Sequence, residues 1–217
     1  MPSYLPEDNL PLSTDTPERS LQKIVSLLYG QSPLNTKLAS IWVPARAMMA
    51  TTTNGAASGS VETTTNKLML ASYDFDKTTQ EHVQFHLELP KSAAFSQSMV
   101  VPGVSTTLTA QFAWTCASGV GASGKTVRWG WQGVGMLDGD SIDQAWGPAK
   151  TVSDVWQEDL AMHVTSETAG IDISNGGSYP CFNFLRVYRD VAADDLNGDA
   201  QLLGMMIRFY EVANTDA

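Results

Sequence analysis

The glycine-rich segment from Gly119 to Thr126 is the most suggestive chemical motif in the sequence. Its eight residues, GVGASGKT, match the phosphate-loop pattern GxxxxGK[ST], in which backbone amides surround a phosphate at the start of a helix. The residues that follow, VRWGWQGVGM, alternate in polarity and contain glycines, which is typical of a strand and not of a helix. We therefore predict a flexible Gly/Ser hairpin loop here and no nucleotide site.

An acidic segment offers a second candidate site. Asp195, Asn197 and Asp199 have the spacing of oxygen ligands seen at the start of calcium-binding loops. Such loops also need glycine at the sixth position and glutamate at the twelfth, where this chain has Ala200 and Met206. The prediction is a plain hairpin loop with an Asn-Gly turn, and an irregular cation site is the alternative.

Two histidines and a glutamate share one face of a predicted strand. His82, His86 and Glu88 alternate with apolar residues. Residues four apart on a strand lie about 13 Å from each other, so the two imidazoles cannot hold one ion together. We expect a solvated strand face and no metal site.

Neither cysteine has the surroundings of a nucleophile. Cys116 and Cys181 lie in apolar runs without a cationic neighbour in sequence, which gives no reason for a lowered thiol pKa. No GxSxG segment occurs, and no pair of carboxylates can be placed across a cleft. We therefore predict no catalytic residue, no cofactor and no enzyme, with both thiols reduced; whether the two pair as a disulfide stays open.

The six tryptophans could stack on sugar rings. Three of them fit the apolar faces of predicted strands and are expected in the core: Trp114, Trp129 and Trp131. The other three, Trp42, Trp146 and Trp156, have no assigned place. A tryptophan-lined face that binds surface glycans is therefore one functional hypothesis.

Composition limits the classes of partner. The chain has 217 residues, 43% of them hydrophobic, and a formal net charge of −10. Such an acidic balance argues against wrapping nucleic acid and against an anionic membrane surface. No apolar run approaches the roughly 20 residues that span a bilayer, and the first residues lack the pattern of a secretory signal. We predict neither nucleic acid nor membrane as a partner.

The first 38 residues are predicted to form an N-terminal arm and an anchor helix. Prolines exclude regular structure in residues 1–14, and a capped helix follows, with Pro17 in its first turn and Gly30 at its end. Its apolar stripe consists of Leu21, Ile24, Val25 and Leu28. Such a short helix needs a surface to pack on. We expect this partner-binding stripe to dock on copies of itself or on another protein; packing on its own domain is the alternative.

Residues 41–217 are predicted to form one β-sandwich domain. Residues 82–89 alternate, with Val83 and Phe85 on the apolar face. Apolar faces also recur in 105–115 and 127–136, and further strands are expected at 61–75 (long or broken), 150–156, 160–165, 181–189 and 201–211, with a short helix at 141–146. About eight strands without crossover helices indicate an all-β fold, an antiparallel, jelly-roll-like β-sandwich with an N-terminal extended arm and one short α-helix.

Several segments in this domain resemble a family of bacteriophage structural proteins and tail-fibre end domains. They include IWVPARAMM (41–49), TTNGAASGSVETTTNKLML (52–70), YDFDKTTQEHVQFHLELPKS (73–92), LTAQFAWT (108–115), WGWQGVGMLDGDSIDQAWG (129–147) and RVYRDVAADDLNGDAQLLGMMIRF (186–209). The resemblance implies a virion protein with a β-sandwich body, often within a homo-oligomer. It carries over no catalytic residue.

The main functional prediction is a non-enzymatic virion protein, assembled in the host cytoplasm. It would be a short tail fibre or tail appendage whose N-terminal helix docks on a baseplate, neck or capsid protein. A homotrimer is expected, with the sandwich exposed toward a glycan or protein of the host surface. The alternatives are a capsid decoration (cement) protein and a glycan-binding module.

Overall fold

A computed structural model describes residues 36–90, 93, 107–173 and 182–212. The predicted anchor helix, with Leu21, Ile24, Val25 and Leu28, lies outside these residues, as does Cys181. The described part consists of β-strands, loops and two 3-10 turns, Ala45–Ala47 and Val191–Ala193. It contains no helix long and apolar enough to cross a membrane.

Eleven strands form in the described part of the chain. They are β1 (Thr36–Pro44), β2 (Met49–Ala50), β3 (Ala57–Glu62), β4 (Met69–Phe75), β5 (His82–Leu87), β6 (Thr109–Cys116), β7 (Thr126–Met136), β8 (Lys150–Val155), β9 (His163–Val164), β10 (Phe182–Arg189) and β11 (Ala200–Val212).

The strands pair antiparallel in two sheets. The six-stranded sheet has the order β3-β4-β11-β6-β9, with β1 added to β11, and the five-stranded sheet has the order β2-β5-β10-β7-β8. Along one edge β11 pairs with β6; along the other it pairs first with β4 and then with β1. The change of partner falls at Gly204, where a Cβ atom would come within 2.7 Å of the Val43 carbonyl oxygen, so only glycine fits without displacing the neighbouring strand.

The core lies between the two sheets and follows the alternation of the sequence. Trp114, Trp129 and Trp131 are fully buried, as predicted, and the ring of Phe75 meets Trp129 edge to face at 5.2 Å between centroids. Large aromatic side chains contribute much of the buried apolar area of such a core. The predicted fold class, an antiparallel β-sandwich of jelly-roll type, is confirmed.

The segment 61–75, predicted as a long or broken strand, is broken, because a turn joins β3 and β4. Three other local predictions differ from the structure. Residues 141–146 form no helix: Gly147 N–H donates to the Gly133 carbonyl at 2.9 Å, which holds the preceding residues as a loop along β7. The segments 117–125 and 190–199 are not hairpins, because each connects one sheet to the other. Their turn residues favour a change of direction but do not specify the partner strand.

Strand β1 begins before the predicted start of the sandwich at residue 41. Its nine residues pair with β11 from Thr36↔Val212 to Pro44↔Gly204. Ala39 and Ile41 pack against the core, whereas Leu38 and Trp42 are exposed. Among the described strands, β1 pairs with β11 alone.

Candidate functional site

The phosphate-loop-like segment is bound to a carboxylate of the chain itself. Asp159 accepts hydrogen bonds from the backbone N–H of Gly119 at 2.6 Å and of Gly121 at 3.0 Å, and from Trp156 Nε1 at 3.0 Å. These bonds, the one from Gly119 foremost, lower the pKa of Asp159. Lys125 faces Asp195 at 3.4 Å. The groups that would hold a phosphate are therefore engaged within the chain, and the predicted flexible loop is tethered.

The carboxylates of the acidic segment 195–199 face other parts of the chain. Asp195 accepts from Thr126 N–H at 2.6 Å, while burial and the nearby Asp76 and Asp74 raise the pKa of Asp199. The two carboxylates thus have different neighbours. Among the described residues, no group of three metal-ligating side chains converges.

Cys116 is a buried thiol. Burial raises its pKa to about 11, and its Sγ lies 3.5 Å from Asp159 Oδ1 as a hydrogen-bond donor. A thiol with such a pKa is almost wholly protonated near neutrality, so it is a poor nucleophile.

The outer face of the five-stranded sheet carries the remaining candidate chemistry. Strand β10 alternates there: Leu185 and Val187 enter the core, so Phe184, Arg186 and Tyr188 point to the other side. We name this surface the outer-face site. Its members are His82, Gln84, Arg128, Gln132, Trp146, Phe184, Arg186 and Tyr188.

Arg186 lies at the centre of the outer-face site. In the sheet register it stands between Gln84 of β5 and Gln132 of β7. Its Nε donates to Gln132 Oε1 at 2.8 Å, and its guanidinium carbon lies 4.7 Å from the centre of the Trp146 ring. Burial lowers the pKa of Arg186, although an arginine stays charged at neutral pH. The arrangement fixes a half-buried cation between an amide and an aromatic ring.

Trp146 reaches this face through the loop that follows β7. Gln132 Nε2 donates to the Gly147 carbonyl at 2.8 Å, so one glutamine side chain holds both the loop and Arg186. Trp146 is half-buried and keeps part of its indole in contact with solvent. Residues 141–146 form an extended loop and not the predicted helix, and this loop places Trp146 beside Arg186.

A second row of residues lies next to the row formed by Gln84, Arg186 and Gln132. Tyr188 is opposite His82 and Gly130, and a Cβ atom at Gly130 would come within 2.3 Å of Tyr188 Cζ, so the ring lies over the glycine. The His82 and Tyr188 rings are 5.8 Å apart between centroids. His82 Nδ1 is buried and finds no hydrogen-bond partner in the part of the chain that the structure describes. Burial, followed by the charge of Arg186, lowers the pKa of His82, which keeps the imidazole neutral near pH 7.

Arg128 forms one border of the site. Its Nη2 donates to Thr151 Oγ1 at 2.8 Å, and its Nε lies 3.3 Å from Asp190 Oδ2. The outer-face site therefore offers planar hydrogen-bonding groups beside aromatic rings, which suits a ligand that has both polar edges and apolar faces.

The sequence indicated only part of this site. Trp146 was a tryptophan without an assigned place, and His82 and His86 were assigned to a solvated strand face, which holds for His86 while His82 is half-buried. Arg186, Gln132 and Tyr188 were missed. The sequence signal that could have found them is the alternation of FNFLRVYR in β10, which separates side chains that face the core from side chains that face outward.

Comparison with known proteins finds similarity only to solved structures. No family model matches the chain, and no curated protein matches it. A carbohydrate-binding module described for specific mannan recognition has 10% sequence identity, a TM-score of 0.39, and coverage of 82% of this chain and 99% of that chain.

Two further carbohydrate-binding modules have similar values. The family 11 module from Clostridium thermocellum, solved with a β-1,3-1,4-mixed-linked tetrasaccharide, has 11% identity, a TM-score of 0.34, and coverage of 82% and 90%. A module solved with β-1,4-galactotriose has 10% identity, a TM-score of 0.31, and coverage of 82% and 89%. Because these TM-scores lie below 0.5, the likenesses by themselves assign no function.

Proposed function

We propose that this chain is a non-catalytic glycan-binding protein and that the sugar binds on the outer-face site. The observation that carries the proposal is the central group of this face, in which Arg186 stacks on Trp146 at 4.7 Å and is held by Gln132 at 2.8 Å.

The chemistry of this group matches that of a sugar ring. A pyranose presents an apolar face of C–H groups and an edge of hydroxyls. An indole ring packs against the apolar face, while amide and guanidinium groups are donors and acceptors for the hydroxyls. Tryptophan and arginine are also the residues whose truncation most often costs an interface more than 1 kcal/mol.

The same groups favour binding without bond cleavage. Hydrolysis of a glycosidic bond requires a pair of carboxyl groups on either side of it. The carboxylate identified beside the outer-face site, Asp190, is engaged with Arg128 at 3.3 Å. The named members of the outer-face site are rings, amides and guanidinium groups that can hold a sugar, and none of them is a carboxyl group.

The test is a glycan array followed by calorimetry with the full chain and two tryptophan variants. Trp146→Ala should weaken binding at least about 10-fold, which corresponds to about 1.4 kcal/mol. Trp42→Ala is the matched control, because Trp42 is 47% exposed on the other sheet and should leave affinity unchanged. Absence of any glycan signal above background, or equal losses in both variants, would overturn the proposal.

A second candidate function is a particle appendage that assembles through the other sheet. On that sheet's outer surface Leu38 pairs with Tyr210 and Trp42 with Met206. Leu38, Trp42 and Tyr210 are 53%, 47% and 37% exposed, an apolar group of the kind found at protein interfaces. Leu38 and Trp42 lie on β1, the strand that follows the predicted anchor helix in sequence. This placement favours assembly with further copies or with a virion protein.

The solution mass tests this second candidate. Light scattering of the full chain should give a trimer, and Trp42→Lys should shift it toward smaller species. A monomer at all concentrations would remove the homotrimer. Copy number in purified particles then separates a tail appendage, present in few copies, from a capsid decoration protein, present in many.

A further inference from the structure

We infer that the outer-face site selects glycans that carry a carboxylate, such as a uronic or sialic acid residue, and that Arg186 binds that carboxylate. This inference rests on the proposed function, which it deepens by naming the class of sugar.

The donors of Arg186 are mostly unused. Its Nε donates to Gln132, whereas neither terminal nitrogen has a hydrogen-bond partner among the described residues. No described carboxylate lies within ion-pair distance of it either. A half-buried guanidinium without an anionic partner loses part of its hydration and gains little in return. A ligand carboxylate would supply the missing partner.

The other strand arginines of the described chain all have carboxylate partners. Arg128 faces Asp190, Arg189 is bound to Asp194 and Arg208 to Glu167. The chain has 23 acidic residues against 13 lysines and arginines, so carboxylates are in excess. An arginine at the centre of a sheet face that has no carboxylate partner in the described ranges is therefore a specific feature of that face.

The guanidinium is also held in one orientation. Gln132 fixes its Nε, and the Trp146 ring covers one of its planar faces. The terminal nitrogens remain as a planar pair of donors, and this fork matches the two oxygens of a carboxylate. Because the side chain is ordered before the ligand arrives, less conformational entropy is lost on binding.

Beside this cation, a second polar atom lacks a partner. His82 Nδ1 is buried without a hydrogen bond, and His82 is close enough to Arg186 for the arginine charge to lower the pKa of its imidazole. Buried polar atoms are nearly always hydrogen-bonded in folded proteins. Among the described residues, the outer-face site therefore holds an imidazole nitrogen without a hydrogen bond beside a cation without an anionic partner.

The experiment compares matched pairs of glycans on the full chain. The probes are tetragalacturonate and its carboxyl-reduced form, and sialyllactose and lactose. The acidic member of at least one pair should bind at least about 10-fold more tightly, and added salt should weaken that binding, as expected for a partly exposed ion pair.

Variants locate the effect. Arg186→Gln should weaken binding of the acidic glycan by about 10- to 100-fold and abolish the preference, while Trp146 still supports weak binding of the neutral form. Arg208→Gln is the control, because this arginine lies on the other sheet, and it should change nothing. A thermal melt of each variant shows that the fold is retained.

The outcomes separate the two proposals. If the native chain binds neutral members as tightly as acidic ones, or if Arg186→Gln keeps the preference, the inference is wrong and the glycan-binding proposal stands. If no probe and no array glycan binds, the proposed function is wrong as well.

Discussion

Arg186 and Arg189 lie three positions apart on β10 and therefore face opposite sides of the sheet. Arg189 is fully buried. Its Nε and one Nη2 hydrogen bond go to Asp194 at 2.9 and 2.7 Å, and its other bonds go to the carbonyl oxygens of Phe75, Leu196 and Gly198. It uses all five donors of a guanidinium, whereas Arg186 uses one among the described residues.

The two environments show how one side chain serves two purposes. Arg189 joins β4 to the loop between β10 and β11, and burial requires that each of its donors find an acceptor. Arg186 lies where solvent can still reach it, and its terminal donors have no partner among the described residues. A guanidinium whose donors all bond within the protein indicates a role in the fold. One that is held in place with donors left over indicates a role in binding.

Replacing each arginine gives the most direct test of this contrast. Arg189→Met should lower the free energy of unfolding by about 3–5 kcal/mol, because it leaves the buried Asp194 charge and three carbonyl groups without partners. Arg186→Gln should lower it by less than about 1 kcal/mol, the scale of one cation–π contact. Urea unfolding of both variants measures this. Equal losses would remove the distinction between the two arginines.

Gly130 tests whether the shape of the outer-face site depends on the packing of Tyr188. Gly130→Ala places a methyl group within 2.3 Å of Tyr188 Cζ, so the ring must move. We expect a loss of about 1–3 kcal/mol in stability, together with weaker glycan binding. In Gly130→Ala/Tyr188→Ala the stability loss should be smaller than the sum of the single losses. Additive losses would contradict direct contact between the two positions.

The smallest expected effect concerns His82 and pH. The pKa of His82 is lowered from 6.5 in the folded protein, so the unfolded chain binds the proton more readily. The stability due to neutral His82 is complete above about pH 6.5 and is lost as the pH falls below that value. Urea unfolding at pH 7.5 and 5.5 should show a larger decrease for the native chain than for His82→Gln, since effects of carboxylates are common to both. Equal decreases would contradict the burial of this imidazole.

The strands were predictable because their apolar residues repeat with period two. Val83 and Phe85 enter the core from β5, and Trp129 and Trp131 from β7, as the alternation indicated. The pairing of strands was not predictable from such local patterns. Both segments expected to be hairpins cross between the sheets, since a turn-forming sequence is compatible with either connection.

The candidate site was predictable only through Trp146. The importance of Arg186 depends on its register with Gln132, 54 positions earlier in the chain, and on which carboxylates lie near it. Neither property is local, so neither is present in a sequence window. The burial of His82 is equally a property of the assembled sheet.

The bonds from Gly119 and Gly121 to Asp159 have a consequence for classification by motif. A sequence motif such as GxxxxGKT predicts backbone N–H groups that converge on an anion. It does not specify whether that anion comes from solution or from the same polypeptide. Here the side chain of Asp159, in the loop that follows β8, fills that place. The chain thus supplies the anion itself, and the residues that match the phosphate-loop pattern connect two of its loops through hydrogen bonds to Asp159.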